Sequence, residues 1–249
     1  VVATWDGLRV MTDAAETGGY FLYFFGECWS PDNFERRVAI DAARREGGVV
    51  IDVGANVGMW SMAVAHHCPD VTVIAMEPDE RLVTRFRRSL ALNDHLGSRV
   101  AVLQRACGDR TGTVRFEPGP SHSPELGRLV ESTSVGEVVE LVRVDDVCAE
   151  RGVRPSLVKI DVEGFEGHVL DGMTTLMQQG YPRVILLEAH GFGGPDDPQA
   201  FIGSIYARLC AHYAVVLRQD DDRFVPCEGV PVWQDREHFL ASEPRASRS

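Results

Sequence analysis

Short, unbroken apolar runs alternate along this chain with longer segments of helical composition. Residues 49–53 (Val49-Val50-Ile51-Asp52-Val53), 71–76, 100–103, 157–160 and 184–187 are rich in Val, Ile and Leu, the mark of strands buried on both faces. Between and after them, residues 79–92, 163–177 and 198–211 read as helices. Strand–helix alternation of this kind builds βαβ units, so the pattern predicts an α/β protein with a mostly parallel, doubly wound sheet and helices on both faces. Two later strands, 214–217 and 230–234, are expected to complete the sheet, with 236–240 packing back on it.

The flanks are less regular. Residues 1–46 read as an N-terminal cap or lid addition, 47–240 as the main domain, and 241–249 as a disordered tail. Within the cap, Tyr20-Phe21-Leu22-Tyr23-Phe24-Phe25 is an aromatic cluster that paves a pocket or covers a sheet edge. Ser30-Pro31-Asp32 caps a helix reaching Ala43, and the stretch from Cys28 to Asn33 is a candidate hinge. Residues 114–116 and 138–144 are strand-like and bracket a Pro-, Gly- and Ser-rich stretch, 117–136, which contains His122 and reads as a mobile lid or a disordered insertion.

Candidate chemistry begins where the first strand ends, in Asp52-Val53-Gly54-Ala55-Asn56-Val57-Gly58. Glycines after a buried strand let the main chain approach a ligand, and the helix that follows presents unpaired N–H groups and a positive dipole end. Asp52 adds an acceptor. Glu77-Pro78 ends the second strand, roughly 20 residues on, where an acid holds the two hydroxyls of a ribose. The loop lacks the second and third glycines of a dinucleotide fingerprint, which disfavours NAD, and no Gly-Lys-Ser/Thr follows, which excludes a phosphate-binding Walker loop. A nucleoside cofactor without phosphates remains: S-adenosylmethionine. Gly54, Ala55, Asn56, Gly58, Glu77 and Pro78 are its expected contacts, with Asp52, and Ala106 and Cys107 after the third strand are expected to edge the adenine.

These residues, with Asn93 and above all Val158-Lys159-Ile160-Asp161-Val162-Glu163-Gly164-Phe165-Glu166 and Leu170-Asp171-Gly172, resemble the FkbM-type methyltransferases from about Phe25 to about His190. The resemblance implies a Rossmann-like class I fold with a seven-stranded sheet. It also implies O-methylation of a sugar or polyketide-like hydroxyl with S-adenosylmethionine as donor.

Asp161 ends the fourth core strand, and the fifth delivers Glu188 and His190 to the same rim. In-line methyl transfer to an alcohol needs a positioned acceptor and a group to take its proton. Asp161, His190, Glu163 and Glu188 are the candidates, in that order, with Asp161 also beside the cofactor. Glu166 is read as a helix cap and Lys159 as the partner of an acid. Magnesium held by Asp161, Glu188 and solvent is an option that the resemblance does not require. Two other functions stay open: a non-catalytic nucleoside-binding module, and, less favoured, a NAD-dependent oxidoreductase.

The formal charge of −12 on 249 residues argues against nucleic acid as a partner and fits a neutral or amine-bearing small molecule. Six cysteines, at 28, 68, 107, 148, 210 and 227, form no C-x-x-C pair, which points to isolated thiols and a cytoplasmic setting. No apolar run approaches the roughly 18 residues of a membrane span. Oligomeric state, a homodimer included, is left open.

Overall fold

The apolar runs become the strands of one large sheet. The computed structural model describes residues 2–13, 15, 33–130, 136–190, 197–221, 223–232 and 236–245. An antiparallel hairpin of β1 (Val2–Trp5) and β2 (Leu8–Met11) precedes α1 (Asn33–Glu46). Then come β3 (Gly48–Val53), α2 (Met59–His67), β4 (Val71–Met76), α3 (Glu80–Ala91) and β5 (Val100–Leu103). A small excursion follows, through β6 (Ala106–Cys107), β7 (Gly112–Glu117), β8 (Arg128–Val130) and β9 (Glu137–Val142). The chain resumes with α4 (Val144–Arg151), β10 (Pro155–Ile160), α5 (Glu166–Asp171), α6 (Thr174–Gln178) and β11 (Val184–His190). It closes with α7 (Pro198–His212), β12 (Tyr213–Asp220), β13 (Arg223–Pro226) and β14 (Arg236–Pro244).

The sheet has eight strands in the order β13-β12-β14-β11-β10-β3-β4-β5. From β11 to β5 every pairing is parallel, whereas β14 runs antiparallel to both its neighbours, so the sheet is mixed at one end. The strand beyond the expected seven is β13, folded back on β12 through Asp221, whose φ is +52°. On one face Ile51, Val53, Val158, Ile160, Ile185 and Leu187 pack against α4 to α7. On the other, Val50, Val73, Leu157 and Leu186 meet α1, α2 and α3. Because both faces are covered, the strands carry continuous apolar sequence and not an alternation.

Four expectations are corrected. The last strand is Arg236–Pro244 and not 230–234; Val232 is 80% exposed, and Pro231 beside it has no N–H for a ladder. Residues 241–244 are therefore strand, and Arg245 Nε donates to Cys210 O and Tyr213 O, so the ordered chain passes the expected start of the tail. The helix expected over 163–177 is two helices. Gly172 lies at their junction, where a Cβ would fall 1.9 Å from Gly108 O, and Asp145 accepts from the N–H groups of Thr175 and Leu176 at the start of α6. Finally, 117–130 is not a disordered insertion: it carries a 3-10 turn, Pro124–Leu126, and β8, within the four-stranded sheet β6-β9-β7-β8.

The N-terminal segment belongs to the core. Ala3, Leu8 and Val10 are buried with Ala39 and Ala43 of α1. Asn93 accepts from Arg9 N and donates to Arg9 O and Ser89 O, fastening β2 to the end of α3. Asp6 meets Arg36 of α1 at 3.1 Å and His67 of α2 at 2.8 Å. The aromatic run at 20–25, the cap at 30–32 and most of the candidate hinge lie outside the described residues. Among those described, no helix is long and apolar enough to cross a membrane.

Candidate functional site

In the parallel part of the sheet the winding reverses between β3 and β10, since β4 and β5 lie to one side and β11 to the other. Beyond the C-terminal ends of such strands a crevice opens, and ligands of α/β sheets bind there. The glycine loop lines it. Gly54 has φ +79°, and a Cβ there would sit 1.7 Å from Asp161 O, so only glycine lets the ends of β3 and β10 come together. Gly58, at φ +80°, is the N-cap of α2 and contributes no side-chain cap; a Cβ would overlap the Phe86 ring at 2.1 Å.

Glu77, at the end of β4, accepts from Asn56 N at 2.9 Å and Asp79 N at 3.0 Å. Burial pushes its carboxyl up to about 7, against the pull of those two bonds. Half-buried Pro78 follows it at the edge.

Two of the expected cofactor contacts, Asp52 and Cys107, turn inward. Asp52 is fully buried beneath the loop; Ser61 donates to its Oδ2 at 2.6 Å, and its Oδ1 has no partner among the described residues. Burial raises its pKa, while Lys159, opposite it on β10, lowers it. Ala55 and Ala106 are buried too. The Cys107 thiol faces the core, 3.3 Å from Met76 Sδ, and burial raises its pKa strongly, so it does not edge the crevice. Strand-end position alone does not say which way a side chain faces.

The rim acids do converge. In β10 and β11, alternate residues share a face. Lys159 Nζ donates to Asp161 Oδ2 at 2.8 Å. Beyond Asp161, Glu163 at φ +53° and Gly164 at +99° turn the chain back over the strand ends. His190, 7% exposed at its side chain, stands at the centre. Its Nδ1 is 3.2 Å from Glu166 Oε1, and its Nε2 is 3.2 Å from Glu188 Oε1, 3.8 Å from Glu163 Oε1 and 3.9 Å from Asp161 Oδ1. Burial alone would lower the imidazole, but bonds to Glu166 and Glu188 and the charges of Asp161 and Glu163 push it up to about 11. Burial lifts Glu163 to about 7, moderated by His190. Glu188 is buried too, which alone would raise it, but its bond to His190 and the charges of His238, His190 and Lys159 hold it down at about 2.

Two members of this cluster escaped the sequence. Glu166 does accept from Gly164 N, as a cap would, yet the same oxygen meets His190. Its signal was the Glu163–Glu166 spacing just past the strand adjoining that of His190. His238 reaches within 3.7 Å of Glu188 from β14, a strand expected elsewhere. Among the described residues, a group of three could offer a cation one ligand atom each within 4.8 Å of one another: Asp161, Glu163 and His190.

The sequence matches the family described as the methyltransferase FkbM domain over residues 52–222. The 31-O-demethyl-FK506 methyltransferase FkbM of Streptomyces tacrolimicus is 31% identical over 217 residues, covering 74% of this chain and 79% of its own length. Hexuronic acid methyltransferase AglP of Haloferax volcanii is 27% identical over 180 residues, covering 71% of this chain and 69% of its own. Among solved structures, the methyltransferase FkbM of Methylobacillus flagellatus KT superposes with a TM-score of 0.52 at 15% identity. That match covers 78% of this chain but only 44% of that structure's chain, and shows the shared Rossmann-like fold. Glycine loop, acidic rim, family match and fold agree: the chain belongs to the FkbM methyltransferase family.

Proposed function

We propose that the protein methylates a hydroxyl group of a small sugar-like or polyketide-like molecule, with S-adenosylmethionine as donor. The observation that carries this reading is the Asp161–Glu163–His190 group standing over the strand ends beside the Gly54 loop. The donor's parts find matching chemistry. The α2 N-terminus, uncapped by any side chain, suits a carboxylate; the Glu77 carboxylate has lone pairs left for a ribose diol; an acid-rich rim suits a sulfonium. When bound, the donor supplies an electrophilic methyl carbon and departs as a neutral thioether.

The chain's own residues do the rest. Glu163 takes the acceptor's proton: its side chain is 24% exposed and its carboxyl sits at about 7, near the ideal for a base in neutral solution. Glu188, at about 2, is too weak a base. His190, at about 11, already holds its proton at neutral pH. Asp161 is held by Lys159, and the two orient the acceptor. The relative named for the 31-O position of FK506 supports a hydroxyl acceptor, and the one named for a hexuronic acid supports a sugar-like one.

Calorimetric titration with S-adenosylmethionine and with NAD, each with and without magnesium, tests the reading. Binding of the sulfonium alone supports it and opens a mass-spectrometric screen of hydroxylated sugars and macrolides, in which Glu163→Gln is expected to abolish turnover yet keep donor affinity. Binding of NAD alone, or of neither, would overturn it.

A further inference from the structure

We infer that Glu166 is a positioning residue that holds His190 as an imidazolium, so that His190 serves the rim as a fixed cation and neither as a base nor as a metal ligand. The inference deepens the function proposed above and rests on it for its catalytic meaning, though not for its test.

Glu166 has no solvent exposure, and its Oε2 has no hydrogen-bond partner among the described residues. A carboxylate in such a place is tolerated when a cation and donors compensate it. Oε1 supplies both compensations, accepting from Gly164 N at 3.0 Å and meeting His190 Nδ1 at 3.2 Å. That contact fixes a proton on Nδ1 and sets the plane of the ring. Nε2 then faces Glu188 Oε1 at 3.2 Å. With a carboxylate against each nitrogen, both nitrogens are donors, and the ring has no lone pair to offer a proton or a metal.

The groups facing the ring come from every side: Lys159 and Asp161 from β10, Glu163 from the turn, Glu166 from α5, Glu188 from β11, and His238 through Glu188 from β14. The four carboxylates outnumber the cations among them, which is why the ring keeps its charge. Asp161 Oδ1 and Glu163 Oε1, at 3.9 and 3.8 Å, are too distant for hydrogen bonds but close enough to feel that charge. Glu166 thus acts through His190 on Glu163. It limits how far burial raises the base and keeps Glu163 ionisable at neutral pH.

Nuclear magnetic resonance of ring-labelled histidine tests this without any acceptor, with His190→Asn assigning the signal. In the wild type the ring is expected to stay doubly protonated through neutral pH and titrate at about 11. Glu166→Gln, which keeps the shape and removes the charge, is expected to lower that midpoint by about one unit or more, and Glu166→Asp to restore part of the shift. Neither manganese nor zinc at stoichiometric concentration is expected to perturb the wild-type ring at pH 7. A wild-type midpoint near 6.5, a midpoint unmoved by Glu166→Gln, or metal capture of the ring would each overturn the inference. Should Glu166→Gln fail to fold, Glu166→Asp, whose shorter side chain draws the carboxylate back from Nδ1, is expected to lower the midpoint by a smaller amount. A midpoint it leaves unmoved would overturn the role of Glu166, while the wild-type and metal titrations decide the charge of the ring. Failure of S-adenosylmethionine to bind the wild type, read by calorimetry, would strike the proposed function and leave the ring's state to the titration.

Discussion

Substituting Gly54 by alanine is expected to break the junction on which the crevice depends. The added Cβ would lie 1.7 Å from Asp161 O, 2.8 Å from Asp161 C and 3.3 Å from Val162 Cγ1, where side-chain carbons keep at least 3.0 Å. The ends of β3 and β10 would therefore separate by about 1 Å. That movement pulls on the Asp161 N to Val53 O bond, now 3.0 Å, and displaces the Asp161 carboxylate from Lys159. The left-handed backbone at φ +79° adds about 1–2 kcal/mol of strain for any residue with a Cβ, and overpacking adds about 1–3 kcal/mol. Together these cost roughly 2–5 kcal/mol, or about 5–15 °C in Tm for a domain of this size. Differential scanning calorimetry measures the loss, and titration with S-adenosylmethionine is expected to show donor affinity falling at least about tenfold. Gly152→Ala separates strain from collision, because Gly152 is also left-handed, at φ +64°, but has nothing within 4 Å of its added carbon. It is expected to lose about 1 kcal/mol and to keep full donor affinity. If Gly54→Ala loses no more than Gly152→Ala, the close approach of β3 and β10 is not a constraint and the account of the crevice fails.

Donor affinity is expected to fall about tenfold between pH 8 and pH 6 as Glu77, at about 7, gains a proton and loses acceptor capacity; isothermal calorimetry at both pH values checks this, and Glu77→Gln should flatten the dependence. His190, raised from 6.5 to about 11, contributes stability that is complete below about pH 6.5 and is lost as pH rises toward 11. Urea denaturation should accordingly show a loss on the order of 2–4 kcal/mol between pH 7 and pH 10, and His190→Gln should remove most of that slope. Asn93→Ala leaves Arg9 N and Arg9 O without their side-chain partners and is expected to cost about 2–4 kcal/mol, with faster amide exchange across β2 than in β3 or β10.

What the sequence disclosed follows from burial. Strands β3, β4, β10 and β11 are covered on both faces, so their apolar runs stand out without an alternation to decode, and the glycine loop between strand and helix marks the crevice. By contrast, β14 lies inside the sheet with Glu237 and His238 in its first turns of sequence, and polar residues at a functional rim hide a strand from any hydrophobicity pattern. The β1–β2 hairpin is short and owes its place to Asn93, a contact across 84 residues that no local pattern contains. In the site, Asp161, Glu163, Glu188 and His190 were legible because parallel strands must bring their ends to one rim. The inward turn of Asp52 and Cys107 and the double duty of Glu166 were not, since spacing reveals neither the direction of a strand-end side chain nor which of two partners a carboxylate chooses.

The small sheet β6-β9-β7-β8 leaves the main fold just after β5 and returns just before α4. Arg81, at the start of α3 near Glu77, donates to Gly119 O beyond β7, so the excursion is moored beside the crevice while its described residues contribute no member of the carboxylate cluster. Such an arrangement is modular. Selection, or a designer, can rebuild the excursion strand by strand and alter what docks against the rim while the reacting groups stay where β10 and β11 hold them.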